Sequence, residues 1–223
     1  MGKKIKFFDI YNQDKSIHKE YIELLKNHFK KNDFILGNSV KVFEKNFAKF
    51  TKSKFSVGCA NGTDALYLAL KSLNLPKNSE VIVPAMTWIS TVLSIINNNL
   101  KPVLVDVNKY DSLISFSDIK KKLNKKTKVI LPVNLYGGIV DIKKIKKLIG
   151  RRKIFIIEDS AQAHGGKDDS GNHIGKFSDF SCYSFYPGKN LGCYGDGGMI
   201  TTNNKKYYDK LNKLRNLGSV TKH

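Results

Sequence analysis

A chain of 223 residues, 41% hydrophobic and 26% charged, can bury one substantial core, and its apolar runs are strand-sized, far too short to span a bilayer. Its formal charge of +20 is almost all lysine, with arginine only at Arg151, Arg152 and Arg215, a pattern of solvated helix faces rather than of base-reading nucleic-acid binding. Three widely spaced cysteines, Cys59, Cys182 and Cys193, form no CxxC pair and have no histidine at ligand spacing, which argues against a metal site and for reduced thiols in the cytoplasm.

The opening MGKKIKFFDI has basic residues but no apolar stretch before a small-residue cleavage site, so no signal peptide is expected. Residues 16–31 place Ile17, Tyr21, Leu24, Leu25 and His28 on one helical face, and 39–50 repeat this with Val40, Phe43, Phe47 and Phe50 behind a Ser39 N-cap. Strand-like runs follow in order: FSVGCA, EVIVP, KPVLVDV, TKVILPV, KIFIIED, FSCYSF and GMITT. Helical segments are predicted near 64–73, 87–98, 116–124 and 141–149, with a last helix over 203–216. Strands alternating with helices imply an α/β fold, a mostly parallel sheet with helices on both faces.

In such sheets, ligands bind outside the carboxyl ends of the strands. The residues just after each apolar run therefore carry the most information. After FSVGCA, Gly62, Thr63 and Asp64 open a helix whose first turn is an anion cup, or no more than a capped turn. Trp88, the only tryptophan, follows EVIVP and could stack on a planar ligand or fill a core. Asp159 and Gln162 follow KIFIIE; a carboxylate there can pair with a cationic ring nitrogen, or simply cap a helix. Ser184 and Lys189 follow FSCY.

Lys189 is the least ordinary of these. Pro187 and Gly188 precede it, so it sits in a constrained turn rather than on a helix face. A lysine held among apolar groups has a lowered pKa and can act as an amine nucleophile, and the alternative is an exposed surface lysine. A P-loop is ruled out, because Tyr183 stands where its first glycine belongs and Asn190 where Ser or Thr belongs. GDGGMI leads into a strand, which also rules out a dinucleotide-binding turn. A phosphate cup, a stacking aromatic, an acid and a nucleophilic lysine, all after strands, together match the needs of pyridoxal 5'-phosphate.

The motifs FILGNSVKVFEKNFAKF, GCANGTDALYLAL, EVIVPAMTWISTVLSI, LPVNLYG, IIEDSAQAHGG and SFYPGKNLGCYGDGGMITT resemble, in content and order, the DegT/DnrJ/StrS sugar aminotransferases of the aspartate-aminotransferase fold (fold type I). The resemblance also takes in IKFFDI and LRNLGS and so covers nearly the whole chain. It implies an N-terminal arm over 1–15 and a large cofactor-binding domain over 16–223. It implies that Lys189 forms the internal aldimine with pyridoxal phosphate and later serves as general acid/base, and that Asp159 binds the pyridine nitrogen. Trp88 would stack on the ring and Gln162 would lie near its face or hydroxyl. Gly62, Thr63, Asp64 and Ser184 would hold the phosphate.

The same resemblance implies a homodimeric enzyme that moves an amino group from glutamate to a nucleotide-linked keto-sugar for surface polysaccharide or glycan biosynthesis. No nucleic-acid or membrane partner is implied. A tyrosine three residues before the lysine is similar to members that aminate C3 of dTDP- or UDP-linked 3-keto sugars, rather than 4-keto ones, which makes Tyr186 the expected substrate contact. Asn134 stands where relatives often have histidine. Relatives continue past this point into a small C-terminal domain, so the chain is expected to be truncated. A non-catalytic or regulatory role is the alternative expectation. A dehydratase of the same family is disfavoured, because those carry histidine in place of the lysine.

Overall fold

The structure is a computed structural model that describes residues 5, 6, 9–32 and 34–219. Part of the expected arm over 1–15 thus lies outside the described residues. The chain divides into two compact units, Met1–Phe43 and Glu44–His223.

The first unit holds α1 (Ile10–Gln13), α2 (His18–Lys31) and the start of α3 (Asn38–Phe50). Asp9 caps α1 by accepting from Asn12 N, and Asn32 closes α2 in the left-handed conformation that asparagine tolerates. The apolar stripe read on α2 is present, yet α2 has no buried residue. The helix over 39–50 starts at Asn38, with Lys41 N donating to Gly37 O. Ser39 is therefore not the N-cap: it lies one residue inside the helix, and its hydroxyl is 3.0 Å from His28 Nε2.

The second unit is a sheet with helices on both faces. Its strands are β1 (Phe55–Cys59), β2 (Glu80–Pro84), β3 (Lys101–Val105), β4 (Thr127–Ile130), β5 (Phe155–Asp159), β6 (Phe180–Ser184) and β7 (Gly198–Thr202). Their order is β1-β7-β6-β5-β4-β2-β3. β7 runs antiparallel to both its neighbours, and every other pairing is parallel. The helices are α4 (Gly62–Leu73), α5 (Ile89–Ile96), α6 (Phe116–Lys122), α7 (Ile142–Ile149) and α8 (Lys205–Arg215). Among the described residues no helix is long and apolar enough to cross a membrane.

The pleat sorts each strand's side chains onto two faces. Val81, Val83, Val129, Leu131, Ile157 and Cys182 pack with α4, α5 and α8 through Ala65, Leu66, Ala69, Ile95 and Leu211. Ile82, Ile130 and Ile156 point the other way, onto Ile119 of α6 and onto Ile142, Ile145 and Ile149 of α7. On that same side Tyr183, Phe185 and Met199 meet Phe47 from the second half of α3. Helices of seven or eight residues are too short to hold in water. α6 and α7 persist because each fully buried isoleucine contributes about 1.5–3 kcal/mol.

Candidate active site

The carboxyl ends of β1, β5 and β6 lie at one edge of the sheet, and the residues singled out from the sequence gather there. α4 begins at Gly62, with Asn61 as its N-cap and the Asn61 side chain accepting from Asp64 N at 2.9 Å. This engages the Asp64 amide and leaves those of Gly62 and Thr63 as first-turn donors without intrahelical acceptors. The turn is seated hard against the sheet. A Cβ at Gly62 would lie 2.7 Å from Ser184 Cβ, and one at Gly198 would lie 2.2 Å from Asn61 O. Only glycine lets the helix start and the end of β6 come this close. The result is a small cradle of N–H groups beside the Ser184 hydroxyl, at the positive end of a three-turn helix, which suits a phosphate.

Asp159 ends β5 and is 6% exposed. Its Oδ2 accepts from Thr91 Oγ1 at 2.8 Å and its Oδ1 from Ala161 N at 3.2 Å. Burial pushes its pKa up, and the Thr91 and Ala161 bonds and then the Lys189 charge oppose that. The carboxylate is thus flanked by donors and a nearby cation, a setting fit for one more cationic N–H. Lys189 lies in the turn after β6, its amide donating to Tyr186 O at 2.8 Å. The turn closes so tightly that a Cβ at Gly192 would lie 2.4 Å from Pro187 O.

Trp88 immediately precedes α5 and is 75% exposed, so its indole presents a face to ligand or solvent rather than to the core. Thr91 ties it to the acid: the Thr91 amide donates to Trp88 O at 3.0 Å while its hydroxyl holds Asp159. Tyr186 is exposed, and its amide donates to Ser184 Oγ at 3.3 Å. Gln162 has a definite task, since its Oε1 accepts from Tyr136 N at 2.7 Å. Tyr136 stands in the left-handed region, at φ 54 and ψ 22, which costs an L-residue about 1–2 kcal/mol. Asn134 is fully buried and turns away from the site, donating to Glu158 and Ser160 and accepting from Val140 N.

Four residues of this edge escape the sequence reading. Thr87 and Thr91 are joined at 2.8 Å, and Thr63 donates to Ser90 at 2.9 Å. The hydroxyl-rich string TWIST around Trp88 is their only signal. His164, in AQAHGG, sets its Nε2 2.9 Å from Ser184 O. A carbonyl only accepts, so that nitrogen carries the proton, and the Asn190 side chain is the imidazole's other polar neighbour. Burial holds the imidazole below its usual pKa, with Lys189's charge acting the same way and the Ser184 bond opposing.

Comparison with known proteins fits this geometry. The profile of the DegT/DnrJ/EryC1/StrS aminotransferase family matches residues 15–223. A UDP-N-acetyl-3-dehydro-alpha-D-glucosamine 3-aminotransferase of Acidithiobacillus ferrooxidans is 41% identical over 83% of this chain and 50% of its own length. A pleiotropic regulatory protein of Geobacillus stearothermophilus is 36% identical over 98% of this chain and 59% of its own. The crystal structure of DesV from S. venezuelae, in complex with a ketimine intermediate, superposes with a TM-score of 0.95 at 34% identity, over 100% of this chain and 60% of that one. The chain thus spans about half to three fifths of the length of these proteins.

Proposed function

The chain belongs to the DegT/DnrJ/EryC1/StrS aminotransferase family, and from that premise we propose that its carboxyl-edge site binds pyridoxal phosphate and moves an amino group from glutamate to a nucleotide-linked keto-sugar. The observation that carries this reading is the meeting of three unlike groups at one edge. They are the cradle between Gly62 and Ser184, the buried Asp159 carboxylate with its donors, and Lys189, whose charge acts on that carboxylate.

Gly62 and Thr63 amides and the Ser184 hydroxyl would take the phosphate, with Asp64 supporting the turn. Asp159 would hold the pyridine nitrogen in its protonated form, Trp88 would cover one face, and the Lys189 amine would be the covalent anchor. When bound, the cofactor supplies an electron-withdrawing ring that stabilises a carbanion. The protein's own work would be to keep Asp159 ionised, to hold the ring still, and to carry the proton on Lys189 Nζ. Residues 16–223 are read as the cofactor-binding domain.

We read the acceptor as a dTDP- or UDP-linked 3-keto sugar, met by Tyr186; the name of the A. ferrooxidans relative supports the 3-keto class. A cytoplasmic homodimer serving surface glycan synthesis belongs to the same proposal. The Geobacillus relative, named as a regulatory protein, favours a second reading in which the site is non-catalytic.

Cofactor uptake and turnover separate the two. Wild-type protein given excess pyridoxal phosphate should develop a near-ultraviolet or visible band. Borohydride should then fix the cofactor covalently to the peptide that carries Lys189, and Lys189→Ala should abolish that fixation. Protein that takes up no cofactor would sink the proposal. Uptake without amino transfer from glutamate to any of a panel of nucleotide keto-sugars would favour the regulatory reading.

A further inference from the structure

We propose that Tyr136 is the side chain at this edge that packs on the sugar ring of the nucleotide-linked substrate, and that Gln162 is the positioning residue that presents it; this rests on the amino-transfer reading above. Tyr136 lies in the short turn after β4, beside the end of β5, and adopts left-handed backbone angles, φ 54 and ψ 22. Among the described residues Asn32, Asn74, Asn78 and Asn99 occupy that region too, a residue type that tolerates it, as do Leu36, Lys52, Ser112 and Leu217, and Tyr136 is the one aromatic there. A tyrosine does not tolerate it, unless packing compensates. Here it does not compensate, because Tyr136 is 74% exposed.

The strain is imposed from both sides of the turn. Gln162 Oε1 accepts from Tyr136 N at 2.7 Å. Gly138 N donates to Leu135 O at 2.9 Å, and Leu135 is buried. Beneath them Asn134 is fully buried, with bonds to Glu158, Ser160 and Val140. Gly137 follows at φ +85, so the loop already contains one residue suited to a positive angle. A glycine at 136 would keep every one of these bonds without strain. What the tyrosine adds is an exposed phenol on a turn bonded to Gln162, which itself stands three positions along the chain from Asp159.

Strained backbone that delivers an exposed ring on a turn tied to the end of β5, where Asn134 N donates to Asp159 O at 2.9 Å, points to ligand contact. The chemistry of the ring suggests which ligand. A flat phenol packs on the C–H face of a sugar and offers one hydroxyl to its oxygens. A nucleotide-linked sugar presents both.

The test uses calorimetric binding of UDP-N-acetylglucosamine and dTDP-glucose, which cannot react, with cofactor uptake and thermal unfolding measured in parallel. Tyr136→Gly should weaken binding of at least one probe by about tenfold. Its Tm should hold, or rise by up to about 2–4 °C as strain is released, and its cofactor uptake should be unchanged. Gln162→Ala should lose probe affinity, and Gln162→Glu, which keeps the acceptor oxygen for Tyr136 N, should restore it. Wild-type affinity in Tyr136→Gly, a fall in its Tm, or no probe bound by the wild-type protein would each overturn the inference. Tyr136-dependent probe binding by protein that takes up no pyridoxal phosphate would leave the inference standing and the amino-transfer reading fallen. Cofactor uptake with probe binding indifferent to Tyr136 would do the reverse.

Discussion

Thr91 shows how much a single hydroxyl can decide. It is fully buried in α5, and its one proton goes to Asp159 Oδ2 at 2.8 Å. Its bond with Thr87, also 2.8 Å, must then run from Thr87 as donor, so the chain of hydroxyls is directed toward the carboxylate. Burial raises the Asp159 pKa, and the Thr91 bond is the largest influence opposing it. A raised carboxyl pKa means that the folded protein takes up this proton before an exposed aspartate would. Stability from this group therefore falls as pH rises through the raised pKa and is recovered on the acid side. Cofactor binding has the opposite need, since the pyridine nitrogen requires the ionised form and loses it as pH falls. Thr91→Val removes a bond to a charged group, which contributes about 1.5–3 kcal/mol. It should weaken pyridoxal phosphate binding by about tenfold or more and move the acid limb of that binding to higher pH. Thr91→Ser should restore both. Quenching of Trp88 fluorescence, measured across pH, reads the effect without turnover, and an unmoved acid limb would refute the role given to Thr91.

Among elements, β1, like β3 at the opposite edge, has sheet support on one side alone, from β7. An ion pair between Glu44 of α3 and Arg215 of α8 braces β1, with side chains only 10% and 13% exposed. Gly58 N donates to Glu44 Oε1 at 2.7 Å, and Arg215 donates to Gly58 O at 3.1 Å, so both backbone groups of one β1 residue are held from the side. Arg215→Met leaves the Glu44 charge buried without its partner, which costs about 3–5 kcal/mol. The midpoint of urea unfolding should fall accordingly with the slope unchanged, and Glu44→Gln in the same chain should recover part of the loss. A midpoint equal to that of the wild type would mean that the pair does not brace β1. None of this bracing is legible in the sequence, where LRN and FEK are 171 positions apart. The strands themselves are legible, because strands covered on both faces must be nearly continuous apolar runs. Their ends are less so. KPVLVDV stops pairing at Val105 because Asp106 N turns to Asp118, and TKVILPV runs into Pro132, which has no N–H to give. At the site, Gly62, Asp159, Ser184 and Lys189 are legible because each closely follows an apolar run. Thr91 is not, for its partner lies 68 residues away, and Gln162, though it too follows KIFIIE, gives no sign of its bond to Tyr136 N, 26 residues away. A threonine inside an apolar helix announces nothing until the sheet brings an acid to it.

Over the whole molecule, the +20 charge is the property most open to misreading. It is not spread evenly. Lys120, Lys121, Lys122, Lys125, Lys126 and Lys128 span the end of α6 and the start of β4, and Lys146, Lys147, Arg151, Arg152 and Lys153 span the end of α7 and the approach to β5. Both stretches lie at the amino end of parallel strands, opposite the edge that holds Asp159 and Lys189. Their field therefore does little to steer an anionic substrate into the site, since charges separated by more than about 8–10 Å are largely screened at physiological salt. What such a face does have is affinity for any polyanion through released counterions, with lysine giving charge but no bidentate contact to base edges. Binding to duplex DNA should accordingly be indifferent to sequence and fall steeply between about 50 and 200 mM salt. At physiological salt it should reach no tighter than the non-specific range of about 10⁻⁴–10⁻⁶ M. Fluorescence anisotropy with two unrelated duplexes at several salt concentrations measures this directly. If one duplex bound a hundredfold more tightly than the other, the lysines would be a recognition surface, and a function beyond the carboxyl-edge site would have to be sought there. Equal and salt-labile binding to both would leave the charge as a property of solvated helix ends, and the chemistry with Asp159, Lys189 and the cradle between Gly62 and Ser184.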